Sequence, residues 1–120
     1  MQAKQLQMGG KESMSRFARD LAIMQENGFK LKAGLGGFPV YIPNGTPIEE
    51  LNLSVRASNG LKRAQIMTVD GILEKSSADL YKMRNMGMKS VKEIKNAVLN
   101  YSYDHMNKRQ KKEFWKEILA

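Results

Sequence analysis

Apolar side chains at Met14, Phe17, Leu21 and Met24 recur at three- and four-residue spacing, which predicts a helix of about three turns opened by Ser13 and stopped at Asn27-Gly28. After it, Phe29-Lys30-Leu31-Lys32 alternates apolar with basic, and Pro39-Val40-Tyr41-Ile42 is rich in strand formers, a pattern compatible with a small hairpin. The glycines of Gly34-Leu35-Gly36-Gly37 and the cluster Pro43-Asn44-Gly45-Thr46-Pro47 read as turns. A boundary is expected at Pro43 to Pro47. Beyond it the punctuation becomes denser. Ser54 can cap a helix running through Lys62, Ser76 followed by Asp79 opens another, and Ser90 followed by Glu93 has the capping-box pattern ahead of Ile94, Val98 and Leu99. The last stretch sets Met106, Phe114, Ile118 and Leu119 among Lys108, Arg109, Lys111, Lys112 and Lys116, an amphipathic basic helix whose largest side chain is Trp115. Packing is the favoured role for its apolar side; an anionic lipid surface or a partner protein are the alternatives.

Three segments follow: an extension over 1–46, a bundle of short helices over 47–103 and a terminal helix over 104–120. A chain of 120 residues makes about one domain, too short for an enzyme with a cleft between two halves. Twenty Lys and Arg against twelve Asp and Glu leave a formal charge of +8, spread over all three segments, which favours a polyanionic partner. Without a cysteine there is no disulfide, thiolate zinc site or cysteine nucleophile. No apolar run approaches the roughly 20 residues that span a bilayer, and Met1 to Gly10 is polar, so a cytoplasmic location and no membrane partner are expected.

Two clusters carry chemistry. Gly87-Met88-Lys89-Ser90 stands where a helix begins, and the first amides of a helix are unpartnered donors at the positive end of its dipole. A glycine admits a phosphate to that backbone, and Lys89 and Ser90 add a charge and a hydroxyl. Ordinary capping explains the same residues. Arg56, Asn59 and Arg63 share a face of the helix opened by Ser54. A guanidinium is drawn into the negative potential of a narrow A·T-rich minor groove and an amide can bond base edges, although a solvated polar face has the same periodicity. His105 has no nucleophile or acid pair beside it, the nine methionines read as core filler, and Asp70 with Glu74 lacks a catalytic complement. No metal, cofactor or catalytic set is expected, and the chain is not read as an enzyme.

The run from Pro47 to Lys62, PIEELNLSVRASNGLK, followed by Asn85-Met86-Gly87-Met88-Lys89-Ser90-Val91-Lys92-Glu93-Ile94-Lys95, closely resembles the C-terminal domain of the bacterial RNA polymerase alpha subunit. The resemblance implies a compact four-helix module with a helix-hairpin-helix element that grips A·T-rich promoter DNA and meets activators and sigma factor. It implies DNA-contacting roles for Arg56, Asn59, Gly87, Lys89, Ser90 and Glu93, with Gly60 beside them, and a sigma-facing role for Glu49 and Glu50. Three positions depart from the family pattern: Met88 stands where a second lysine is common, Gly60 where a bulkier small residue is usual, and Asn52 where an acid is common. Residues 1–46 do not resemble the alpha assembly domain, so a free-standing relative or an excised module is expected.

The expected architecture is therefore mainly α: a compact bundle of short helices with a helix-hairpin-helix element, an N-terminal extension and a C-terminal amphipathic helix. The expected partners are A·T-rich double-stranded DNA and RNA polymerase, sigma factor or activators. A protein-interaction adaptor that holds such regulators without DNA contact is the second reading.

Overall fold

A computed structural model describes residues 14–35, 37–84 and 86–120. Its described residues are mainly helical: α1 Arg16–Glu26, a 3-10 turn Ile48–Leu51, α2 Val55–Arg63, α3 Val69–Leu73, α4 Ser77–Tyr81, α5 Met88–Asp104 and α6 Lys108–Ile118. Contacts divide the molecule into two units, Val40–His105 and Met1–Pro39 with Met106–Ala120.

In the second of these units, α1 is capped by Ser15, whose hydroxyl accepts from the amide of Ala18 at 3.2 Å. Ser13 lies outside the described residues, and the cap falls two places later, directly ahead of the first helical residue. The stop is where the pattern put it: Asn27 ends the helix and Gly28 takes φ +91°, a left-handed conformation that glycine adopts without a Cβ penalty. The expected hairpin does not form. Leu31 makes a single antiparallel bridge to Leu119, Lys32 N–H donates to Ile118 O at 2.9 Å, and Ala120 N–H donates to Lys30 O at 2.8 Å. Backbone groups at 30–32 thus find their partner at the end of α6, which removes the need for a second strand. Gly34 turns the backbone at φ +73°; Gly36 lies outside the described residues.

The terminal helix is also shorter than expected. Asn107 and Gln110 form a capping box, so α6 starts at Lys108, while 104 closes α5 and Met106 precedes the helix. Its apolar side is covered. Phe114 and Trp115 meet Phe17 at 5.7 and 5.8 Å between ring centroids, and Phe38 lies 5.4 Å from Phe17. Phe114 and Ile118 are fully buried.

Val40–His105 has its own core. Ile48 and Leu51 of the 3-10 turn, Leu61 of α2, Val69 and Ile72 of α3, Leu80 of α4 and Val91, Ile94 and Val98 of α5 form one buried cluster. The second half of the expected hairpin belongs here: Val40 and Ile42, alternate residues on one side of the backbone, pack against this cluster, and Tyr41 N–H donates to the buried hydroxyl of Ser102 at 2.7 Å. The 43–47 turn is tied to the start of α3 by Val69 N–H on Thr46 O at 2.8 Å and by Gly45 N–H on the Asp70 carboxylate at 2.8 Å.

Short helices survive because their ends are satisfied. Ser54, Thr68 and Ser76 cap α2, α3 and α4 in turn, and Asp79 completes a capping box with Ser76. At the other end of α2, Ile66 N–H reaches Leu61 O and Gln65 N–H reaches Lys62 O, both at 2.9 Å, a Schellman closure with Gln65 at φ +62°. The Ser90 and Glu93 capping box expected from the sequence is absent. Gly87 is the N-cap of α5, which places Ser90 inside the first turn and frees Glu93 for another partner.

Candidate nucleic-acid interface

The first motif lies on α2, where Ala57 and Leu61 are buried and Arg56, Asn59 and Arg63 are exposed. These three side chains and Gly60 line a surface depression of about 360 Å³. The second motif starts α5. Gly87, Met88, Lys89 and Ser90, with Ser54, Arg56 and Glu93, line a second depression of about 400 Å³. Arg56 borders both, so two stretches thirty residues apart in sequence meet along one surface. Arg56, Arg63 and Lys89 have no carboxylate within ion-pair distance among the described residues.

Gly87 has φ −93° and ψ 174°, extended backbone open to any residue, so the turn itself does not require glycine. A Cβ there would meet nothing within 4 Å and would project into open space ahead of the helix. What glycine contributes is access to the amides of Met88, Lys89 and Ser90, the first of α5, which has no side-chain cap. Ser90 is buried, whereas Lys89 is exposed.

Glu93 approaches from the following turn and binds Ser54 with both oxygens: Ser54 N–H donates to Oε2 at 2.6 Å and the Ser54 hydroxyl donates to Oε1 at 2.8 Å. That hydroxyl in turn accepts from Ala57 N–H at 3.2 Å. In an ordinary capping box the acid that accepts the N-cap amide comes from the same helix; here α5 supplies it to α2. Nothing in the local spelling around Ser54 or Glu93 signals this pairing. Met86 is a second unforeseen participant. A Cβ on Gly60 would lie 2.6 Å from Met86 Cε, so the thioether methyl fills the space a larger residue 60 would use.

Residues 43–100 match the family model for the C-terminal domain of the alpha subunit of bacterial RNA polymerase. The similarity to that family is carried by this segment. The matched relatives agree: the "DNA-directed RNA polymerase subunit alpha" of Syntrophomonas wolfei is 53% identical over 58 residues, 47% of this chain and 18% of the relative. The proteins of the same description from Carboxydothermus hydrogenoformans and Synechocystis sp. are 54% and 58% identical over 48 residues, each 40% of this chain and 15% of the relative. The aligned part of the sequence thus spans less than a fifth of these relatives.

Within this matched segment, the other two departures also acquire a physical setting. Asn52 ends the 3-10 turn at φ +52°, and asparagine tolerates the left-handed region better than most side chains. Met88 is 62% exposed at the first position of α5, beside Lys89. Of the two acids expected to face a protein, Glu49 pairs with Lys62 at 3.6 Å and Glu50 accepts from the Tyr101 hydroxyl at 3.4 Å. Desolvation, then the charge and hydrogen bond of Glu50, push the Tyr101 pKa upward. Glu50 also borders a depression of about 410 Å³ with Asn52, Glu93, Asn96, Asn100 and Asp104. His105 stacks on Tyr101 at 4.0 Å and its Nδ1 lies 2.8 Å from Tyr101 O, an ordinary helix-end arrangement. Asn85 of the second motif lies outside the described residues.

Proposed function

We propose that Val40–His105 binds A·T-rich duplex DNA through the minor groove in a role connected with transcription. The observation that carries this reading is the position of Arg56 on the border of both depressions. A duplex seated there would receive the Arg56 guanidinium and the Asn59 amide at base edges, while the α5 amides after Gly87, with Lys89 and Ser90, would bond phosphate oxygens. Glu93 is a positioning residue in this scheme. Its carboxylate, already held by Ser54, sets the start of α2 beside the start of α5 and thereby the place from which Arg56 departs.

The test is titration of A·T-rich and G·C-rich duplexes over a range of salt. Neutralising about five phosphates gives a log-log slope near −4.5. Arg56→Ala is expected to erase the A·T preference at a cost of about 1–3 kcal/mol. Equal affinities of the wild-type protein for both duplexes would refute groove reading.

The second reading, an adaptor for polymerase, sigma factor or an activator, draws on Glu49, Glu50 and the exposed Met88. Pull-down from bacterial lysate after nuclease treatment separates the two, because an adaptor keeps its regulator when nucleic acid is destroyed.

A further inference from the structure

At the far end of α2 from Ser54 sit two adjacent cations with different fates. Lys62 is engaged by Glu49 at 3.6 Å, whereas Arg63 is exposed and has no carboxylate within reach among the described residues. Arg63 instead borders the depression that Arg56, Asn59 and Gly60 complete. Seven residues separate Arg56 from Arg63, nearly two turns, so both lie on one side of the helix with an axial rise of about 10.5 Å between them. For a helix laid along the duplex, where phosphates follow one another at about 3.4 Å of axis per strand, that rise is about three nucleotide steps. Gly60 lies between the two arginines, and Met86 Cε takes up the room that a side chain at residue 60 would use.

We propose that Arg63 is a phosphate-anchoring residue of the duplex site, bonding a backbone phosphate about three nucleotide steps from the point where Arg56 enters the groove. The inference rests on the duplex-binding reading above and extends the footprint from the α2–α5 junction along the whole of α2. A guanidinium suits this position because its planar fork of donors can bond two phosphate oxygens at once. Being at the helix end, Arg63 anchors without reading bases, so its contribution is the same for every sequence.

The experiment compares wild type, Arg63→Gln and Arg63→Lys on A·T-rich and G·C-rich duplexes between 0.05 and 0.3 M salt, with circular dichroism confirming the fold of each. Loss of one phosphate contact lowers the magnitude of the log-log slope by about 0.9 and the affinity by about eightfold at 0.1 M salt. For Arg63→Gln that loss should be equal on both duplexes, and Arg63→Lys should restore most of the slope as a cation without the fork. If wild type prefers A·T-rich DNA and Arg63→Gln matches it in slope and affinity, Arg63 is merely solvated and this inference falls while groove binding stands. A changed A·T to G·C ratio in Arg63→Gln would overturn the phosphate assignment in favour of base contact. If wild type binds neither duplex, both proposals fall.

Discussion

Glu93 on α5 closes both oxygens on Ser54, the N-cap of α2, thirty-nine residues earlier in the sequence. Two helix starts are thereby joined by charge-assisted bonds at the border of the proposed interface. Arg56 is the second residue of α2 and Lys89 the second of α5, so the bond acts two residues from Arg56 and about one turn from Lys89.

Replacing this acid separates position from charge. Glu93→Ala removes both acceptors from Ser54 and should cost about 0.5–1.5 kcal/mol in urea denaturation, the range for a lost capping contact on an exposed helix end. Removal of a negative charge beside a phosphate site would by itself strengthen DNA binding. Weaker duplex affinity in Glu93→Ala is expected nonetheless, and a rise in affinity would show that its charge outweighs its grip on Ser54.

Gln65 completes the Schellman closure of α2 with a left-handed backbone at φ +62°. An L-residue loses about 1–2 kcal/mol in that region, and glycine offsets part of this gain, about 0.5–1 kcal/mol, through its freer unfolded state. Gln65→Gly should therefore raise stability by about 0.5–1 kcal/mol, seen as a higher urea midpoint at unchanged slope. Duplex affinity should stay level, because Gln65 borders neither depression.

Ser102 is fully buried on α5 and its hydroxyl takes the amide of Tyr41 at 2.7 Å. Ser102→Ala strands that donor and is expected to cost about 1–3 kcal/mol. Amide hydrogen exchange at Tyr41 provides the local check: protection should drop there before it drops in the middle of α5.

Acid should loosen the start of α4. The Asp79 carboxylate accepts the Ser76 amide, and this backbone bond, then the Ser76 hydroxyl, holds its pKa below the ordinary aspartate value. A lowered folded-state pKa means that the stabilisation is present above the unfolded value, near 4, and is lost as pH falls through the lower folded one. Asp79→Asn should thus unfold at lower urea than wild type at pH 7, with the gap narrowing below about pH 4. A gap that is constant from pH 7 to pH 2 would exclude the carboxylate as its source.

Much of the helix plan is legible because capping and periodicity are local. Ser54, Ser76 with Asp79, and the Asn27-Gly28 stop each act on amides or carbonyls within a few residues, so their spelling reports their structure. Arg56, Asn59 and Arg63 share a face for the same reason. The errors arise where a local pattern has a distant competitor. Leu31 bridges Leu119 instead of a neighbouring strand, and Glu93 serves Ser54 instead of its own helix, because hydrogen-bonding groups are satisfied by whichever partner packing brings closest.

By itself, the order of residues determined most of the helices, though not Val69–Leu73, together with the basic balance and the two motifs, since these depend on side chains a turn or two apart. Only tertiary packing decided that α2 and α5 begin beside each other, that Met86 fills the space next to Gly60 and that Arg56 faces both depressions. Those relations depend on burying Leu61, Val91 and Ile94 in one core, and no short-range pattern encodes which helix ends that burial brings together.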